Sequence, residues 1–197
     1  LDRKLPQETV MMGNRSATTD QFPIRTKSNY SYTQSLVRKN KLQNLKAIDE
    51  LVWYADEDFD LFQRNSDHWK VYLALTEKTS YNDNNDWVSF DELTKVYDAE
   101  VKVDYVSDSG NFKNLEDPLN STNNLTRIRV KLDKQFLLDE SSNLVIAILE
   151  TEPSNDGSTV SEVFYYTDQA QYQTIGFNGN SISDFSDLSN NPPSASF

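Results

Sequence analysis

Along most of the chain, apolar and polar residues alternate with a period of two. In Trp69–Leu75, Trp69, Val71, Leu73 and Leu75 share one face, which is the repeat of a half-buried β-strand. Val96–Tyr105 sets Tyr97, Ala99, Val101, Val103 and Tyr105 against Val96, Asp98, Glu100, Lys102 and Asp104. In Leu125–Leu132, Ile128, Val130 and Leu132 oppose Arg127, Arg129 and Lys131. Leu144–Leu149 (L-V-I-A-I-L) is apolar at every position, which predicts a central strand buried on both faces. Further strand-like runs are Tyr30–Val37, Leu45–Tyr54, Val160–Tyr166 and Tyr172–Phe177. Turn-forming clusters such as N-D-N-N-D, D-S-G-N, N-S-T-N-N and S-N-D-G-S separate the runs. The best helical segment, Phe90–Val96, is one or two turns long. This pattern predicts an all-β fold, an antiparallel two-sheet sandwich that is jelly-roll-like. It spans residues 30–197, with Leu144–Leu149 and Trp69–Leu75 as inner strands. Residues 1–29 lack a periodic apolar face and are predicted to form an extended N-terminal arm.

Composition narrows the partners. The 197 residues include ten Tyr, ten Phe and three Trp, enough aromatic surface for a folded core. The net charge of −12 opposes binding to nucleic acid or to an anionic membrane surface, and it attracts cations, Ca²⁺ among them. The chain contains no Cys, so disulfides, thiolate metal sites and a Cys nucleophile are excluded. That suits the cytoplasm, and equally a bacterial surface protein without disulfides. No apolar run reaches the roughly 20 residues of a membrane helix. The opening L-D-R-K-L-P-Q-E is not a signal peptide, and a start at Leu suggests a processed product or a fragment.

Candidate chemistry is sparse. Asp56, Asp58 and Asp60 alternate like the start of an EF-hand loop, but Leu61 stands where that loop needs Gly, and Asp67 where it needs Glu. Asp83 and Asp86, in Y-N-D-N-N-D-W, offer hard oxygen ligands or, more simply, a turn in which Asn and Asp bond their own backbone. A Ca²⁺ site would therefore have to be assembled between loops, from Asp83 or Asp86 with Asp56, Asp58 or Asp60, or from Asn155 and Asp156 beside Gly157. No resident cofactor is implied. The lone His68 adjoins Asp67, but neighbours in a strand point to opposite faces, so adjacency does not make them a dyad. Carboxylates abound and none is singled out as a catalytic pair. Trp53, Tyr54, Tyr165, Tyr166 and Tyr172 are the candidate ligand-binding aromatics, since such rings stack on sugars and anchor protein interfaces.

The run from His68 to Tyr81 (H-W-K-V-Y-L-A-L-T-E-K-T-S-Y), Asp86-Trp87-Val88 and Leu93–Tyr97 together resemble a β-rich module of secreted and cell-surface Bacteroidota proteins. That module carries W-x-V-Y-x-x-x-T-x-K-T-x-F, a D-W segment and an L-T-x-V-F-x-G-x-V strand. Asn143–Ile148 resembles its N-L-V-I-A-V strand, Tyr30–Ser35 its Y-S-Y-S-Q-x segment, and Asn191–Ala195 its N-P-P-x-A close. Asp98 replaces a family Gly, and the chain holds only five Gly where the family is rich in them. The resemblance implies an accessory β-sandwich module of exported proteins, often sent out by the type IX secretion route, and it carries no reaction and no catalytic residues. It also implies that Asn82–Asn85 are a variable connection, with Asp86 and Trp87 as its structured end. The expected function is a non-enzymatic extracellular or surface module for adhesion or assembly, facing a protein or glycan surface or neighbouring copies and domains. The alternatives are a Ca²⁺-assisted carbohydrate-binding module and a virion or filament component.

Overall fold

The computed structural model of the protein describes residues 9–10, 12, 17–19, 22–25, 29–56, 67–106, 125–152, 164–166, 173–185, 188 and 194–195. In chain order these residues form β1 (Ala17–Thr19), β2 (Tyr30–Val37), the short helix α1 (Lys39–Leu42), β3 (Ala47–Asp56), β4 (His68–Thr76), β5 (Thr94–Glu100), β6 (Lys102–Val106), β7 (Leu125–Leu137), β8 (Asn143–Glu150), β9 (Phe164–Tyr166) and β10 (Thr174–Gly179). Two five-stranded antiparallel sheets result. Sheet I runs β10-β2-β8-β4-β5 and sheet II runs β1-β9-β3-β7-β6.

The fold is an all-β sandwich. The β2–β3 arm lies antiparallel to the β7–β8 arm in both sheets, with Tyr32 opposite Leu149 in sheet I and Trp53 opposite Ile128 in sheet II. This is the folded ribbon of a jelly roll. The all-apolar run sits in β8, at the middle of sheet I, with β4 beside it.

The core between the sheets takes Trp69, Val71, Leu73, Leu144 and Ile148 from sheet I, and Ile48, Ala55, Ile128, Val130 and Leu132 from sheet II. Trp53 of β3 meets Trp69 of β4 edge to face, with ring centroids 5.6 Å apart. Each such large side chain contributes about 1.5–3 kcal/mol by leaving water.

The alternate residues of sheet I are apolar as well and need a second cover. They include Tyr32, Leu36, Tyr72, Ala74, Val145, Ala147 and Leu149. Residues 77–93 supply it by folding back over the sheet. Tyr81 and Val88 are buried, Trp87 stacks on Tyr32 at 5.1 Å, and Phe90 packs on Tyr72 at 4.9 Å. Phe185, Leu188 and Ala195 complete this roof, and the Ala195 N–H donates to the Asn84 carbonyl at 2.6 Å.

The fully buried Gln34 pins the roof to the sheet. Its Nε2 donates to the Val88 carbonyl at 2.8 Å and to Tyr32 Oη at 2.9 Å, while its Oε1 accepts from the Val88 N–H at 2.9 Å. The Tyr81 hydroxyl reaches the same Oε1 at 3.4 Å. The buried N–H and carbonyl of Val88, which have no strand partner, are thus both paired.

Three local expectations change. Val96–Tyr105 is not one strand: β5 belongs to sheet I and β6 to sheet II, and the chain crosses between them at the buried Val101. A register shift opposite Val71 and Tyr72 leaves Val96 outside the ladder. Phe90–Val96 holds only a single 3-10 turn, Phe90–Glu92, because Val96 and Tyr97 pack into the core as part of β5. The lead-in also joins the sandwich. β1 pairs with β9 at the edge of sheet II, and Ile24 is fully buried in the core. A three-residue edge strand and a single apolar anchor carry no periodic signal.

Replacing Gln34 by Leu should strand the Val88 N–H and carbonyl inside the molecule. The expected loss is about 2–4 kcal/mol, since each unpaired buried group costs roughly 1–3 kcal/mol. Urea unfolding checks it, and a loss below about 1 kcal/mol would mean that the roof is held by its aromatic rings alone.

Candidate functional site

The metal candidates do not converge among the described residues. Asp86 closes its own loop. Its Oδ2 accepts from the Asn82 backbone N–H at 2.8 Å and from Asn82 Nδ2 at 2.9 Å, and its Oδ1 is held by the Lys78 ammonium. Burial raises the Asp86 carboxyl, but the bonds from Lys78 and Asn82 outweigh it and leave it below the usual carboxylate range. Asp83 caps the same turn, accepting from the Asn85 N–H at 2.7 Å. Asp56 ends β3, far along the chain, and Asp58, Asp60, Asn155 and Asp156 lie outside the described residues. No group of three or more His, Asp or Glu among the described residues is arranged to hold a metal ion.

The aromatic candidates are parted by the pleat. Trp53 lies on the inner face of β3 against Trp69, whereas Tyr54 shares the outer face with Val52. Tyr165 and Tyr166 lie in β9, where their backbones pair with Thr18 and Ala17. Tyr172 lies outside the described residues.

The outer face of sheet II is largely polar. Tyr54 pairs with Arg127, Val52 with Arg129 and Glu50 with Lys131 across β3 and β7, and Arg127 pairs with Asp104 of β6. The Arg129 guanidinium reaches Glu50 at 2.6 Å and Asp104 at 3.6 Å, and Arg127 reaches Asp104 at 2.9 Å. Val52 remains 37% exposed amid this ladder. On the outer face of sheet I, Asp98 gathers His68 Nε2 at 3.0 Å and the Lys95 ammonium at 2.8 Å. His68 is thus turned away from Asp67.

One constellation escaped the sequence reading. Asp67, Glu150 and Glu152 meet at one end of the core between the sheets. Trp69 is the cross-strand partner of Glu150, so the same register brings Asp67 opposite Glu152. Glu150 is 1% exposed and Asp67 8%. Glu150 Oε1 accepts from the Glu152 N–H at 2.7 Å, Glu152 Oε2 accepts from the His68 N–H at 3.3 Å, and the Glu152 side chain hydrogen-bonds that of Asp67. Burial, and then the neighbouring charges of Glu152 and Asp67, push the Glu150 carboxyl up to about 9, against the Glu152 backbone bond. Burial and the bond to Asp67 also raise Glu152. A carboxyl with so high a pKa is a proton donor in principle, but Glu150 is sealed from any substrate, and general acid catalysis needs reach. Extending the β8 alternation by two residues would have placed Glu150 and Glu152 on the side of Leu144, Ile146 and Ile148, but Asp67 joins them only through the register of β4 on β8.

Comparison with protein-family models, with curated proteins and with solved structures finds no match for this chain.

The Asp86 arrangement sets an expected outcome. Asp86→Ala removes the acceptor for Lys78 and Asn82 and should cost about 1–2 kcal/mol, while millimolar Ca²⁺ should leave the melting temperature of the unaltered protein unchanged. A rise on adding Ca²⁺, reversed by chelator, would point to a cation site.

Proposed function

We propose that the chain is a non-enzymatic module of a secreted or cell-surface protein that serves adhesion or assembly, docking a folded protein neighbour on the outer face of sheet II. The observation that carries this reading is the contrast between the two outer faces. Sheet I is roofed by the chain's own Trp87, Phe90 and Phe185, whereas on sheet II Val52 stays exposed between Tyr54 and a ladder of paired charges. Tyr and Arg are the residue types that protein interfaces favour, and their charges here are already fixed in position by Glu50 and Asp104. The order of motifs shared with exported Bacteroidota modules supports the location. The net charge of −12 disfavours nucleic acid as the partner, and no described helix is long and apolar enough to cross a membrane.

A photo-crosslinking residue at Val52, placed in the protein made by its native cells, tests the reading. The expected adduct is to another protein, formed on intact cells. Tyr54→Ala and Arg129→Gln should weaken that contact about tenfold each, equivalent to roughly 1.4 kcal/mol, with the folded state preserved. Tyr54-dependent binding on a glycan array would favour a carbohydrate ligand instead. Protein found only inside the cell, with no adduct, would overturn the proposal.

A further inference from the structure

The Asp67, Glu150 and Glu152 cluster does more than fill space. Three carboxyl groups stand where the inner face of a sandwich calls for apolar side chains, at the point where β4 begins and β8 ends. We propose that they form a protonation latch: with Glu150 and Glu152 protonated, the cluster ties the start of β4 to the end of β8, and once those two are charged it pushes the ends apart.

Among the described residues, the following surround them. From β2, Ser31 is the cross-strand neighbour of Glu150. The backbone N–H of Arg25 binds Ser31 Oγ, but its guanidinium reaches Asn178 through Nη1 at 2.9 Å. From β4, Asp67 and Trp69 share the inner face, while His68 turns to Asp98 on the outer face. From the β5–β6 crossover, the buried Val101 is apolar, its N–H donates to the Asp67 carbonyl at 2.8 Å, and Glu100 is paired across from His68. From sheet II, Ala55 and Thr126 are both fully buried and carry no charge. The charges that act on Glu150 are those of Glu152 and Asp67, both of its own sign. On Glu152 they are Asp67 and, in opposition, His68.

The direction of the pH dependence follows from linkage. Glu150 titrates near 9 in the folded protein and near 4.5 when exposed. The folded state therefore keeps a proton that the unfolded chain has released. The Glu150 contribution to stability is full below about 4.5, declines as the pH rises and is lost above about 9. With Glu152 protonated, its hydroxyl donates to the Asp67 carboxylate, and loss of that proton turns a bond into a repulsion. The contribution of the cluster is thus largest in acid, partly lost at neutral pH, and its β4–β8 end yields in alkaline surroundings.

Thermal unfolding of the whole chain between pH 5 and pH 9 tests the latch. The expected melting temperature falls by about 3–5 °C per pH unit, the effect of one proton on a domain of this size. Glu150→Gln keeps the acceptor for the Glu152 N–H and cannot ionise, so it should flatten that slope. Backbone amide exchange at Val101 and Thr151, corrected for intrinsic rates, should accelerate at pH 9 relative to Val71. A slope that is absent, or unchanged in Glu150→Gln, would overturn the proposal. Recovery of the pH 9 melting temperature by Ca²⁺ would also overturn it, since the cluster would then be a cation site. Should Glu150→Gln fail to fold, the carboxyl carbon resonance of Glu150 in the unaltered protein decides. A midpoint well above 4.5 upholds the latch, and an ordinary one ends it.

Discussion

A strand that is apolar on both sides must be covered twice, and β8 imposes that demand on everything around it. Its run Leu144–Leu149 gives one set of side chains to the core and the other set to the far side of sheet I. Sheet II meets the first demand. The second cannot be met by another strand, so residues 77–93 and the closing segment are drawn across the sheet as an irregular roof. Irregular backbone in a dry place brings its own cost, because every N–H and carbonyl there needs a partner. Gln34 supplies both partners to Val88, and Asn143 Nδ2 donates to the part-buried Lys78 carbonyl at 2.9 Å. Asp86 then holds the turn in shape. The side chains of Asn82, Asp83 and Asp86 are spent on fixing this loop.

How far the sequence foretold this depends on the range of the forces involved. Strand alternation is local, so β2, β4, β7 and β8 were legible from periodicity, and L-V-I-A-I-L announced its central place. The crossover at Val101 was not legible, because the alternation of side chains continues while the hydrogen-bonding partner changes from β4 to β7. The bulge at Val96 shifts the phase by one residue, and a window of period two averages over it. Phe90–Val96 has the spacing of a short helix, yet burial of Val96 and Tyr97 draws it into the sheet, so tertiary packing overrides local preference. Trp53 and Tyr54 were both candidate ligand-binding rings, and the pleat puts them on opposite faces of β3. The carboxylate cluster was invisible for another reason: it is assembled from positions more than eighty residues apart in the chain, through the register of β4 on β8.

The cluster also shows where the sandwich departs from maximal stability. Burying a carboxyl group is costly unless it is protonated or bonded. Glu150 has one bond from the Glu152 N–H, and Glu152 one from the His68 N–H. Apolar residues at these positions would extend the Trp69–Trp53 contact and close the end of the core permanently. A protein that retains acids there keeps one end of an otherwise rigid structure responsive to its medium. On the proposed extracellular reading, where the pH is set by the surroundings, that responsiveness is usable.

The two sheets therefore divide the work. Sheet I carries the stability, with an apolar strand at its centre, a core on one side and an aromatic roof on the other. Sheet II lends one face to that core and keeps the other for solvent. Substitutions on its outer face change Val52, Tyr54 or the Arg127–Asp104 and Arg129–Glu50 pairs without touching any residue of the core between the sheets. Exposed ion pairs of this kind each contribute less than about 1 kcal/mol, so that face is free to vary in composition while the fold holds. A surface that can change at little cost to stability, mounted on a sheet that cannot, is the arrangement a recognition module requires. On the proposed reading, the determinants of partner choice lie on β3, β6 and β7 rather than in the loop 81–87, where Asn82, Asp83 and Asp86 are committed to holding the turn in shape.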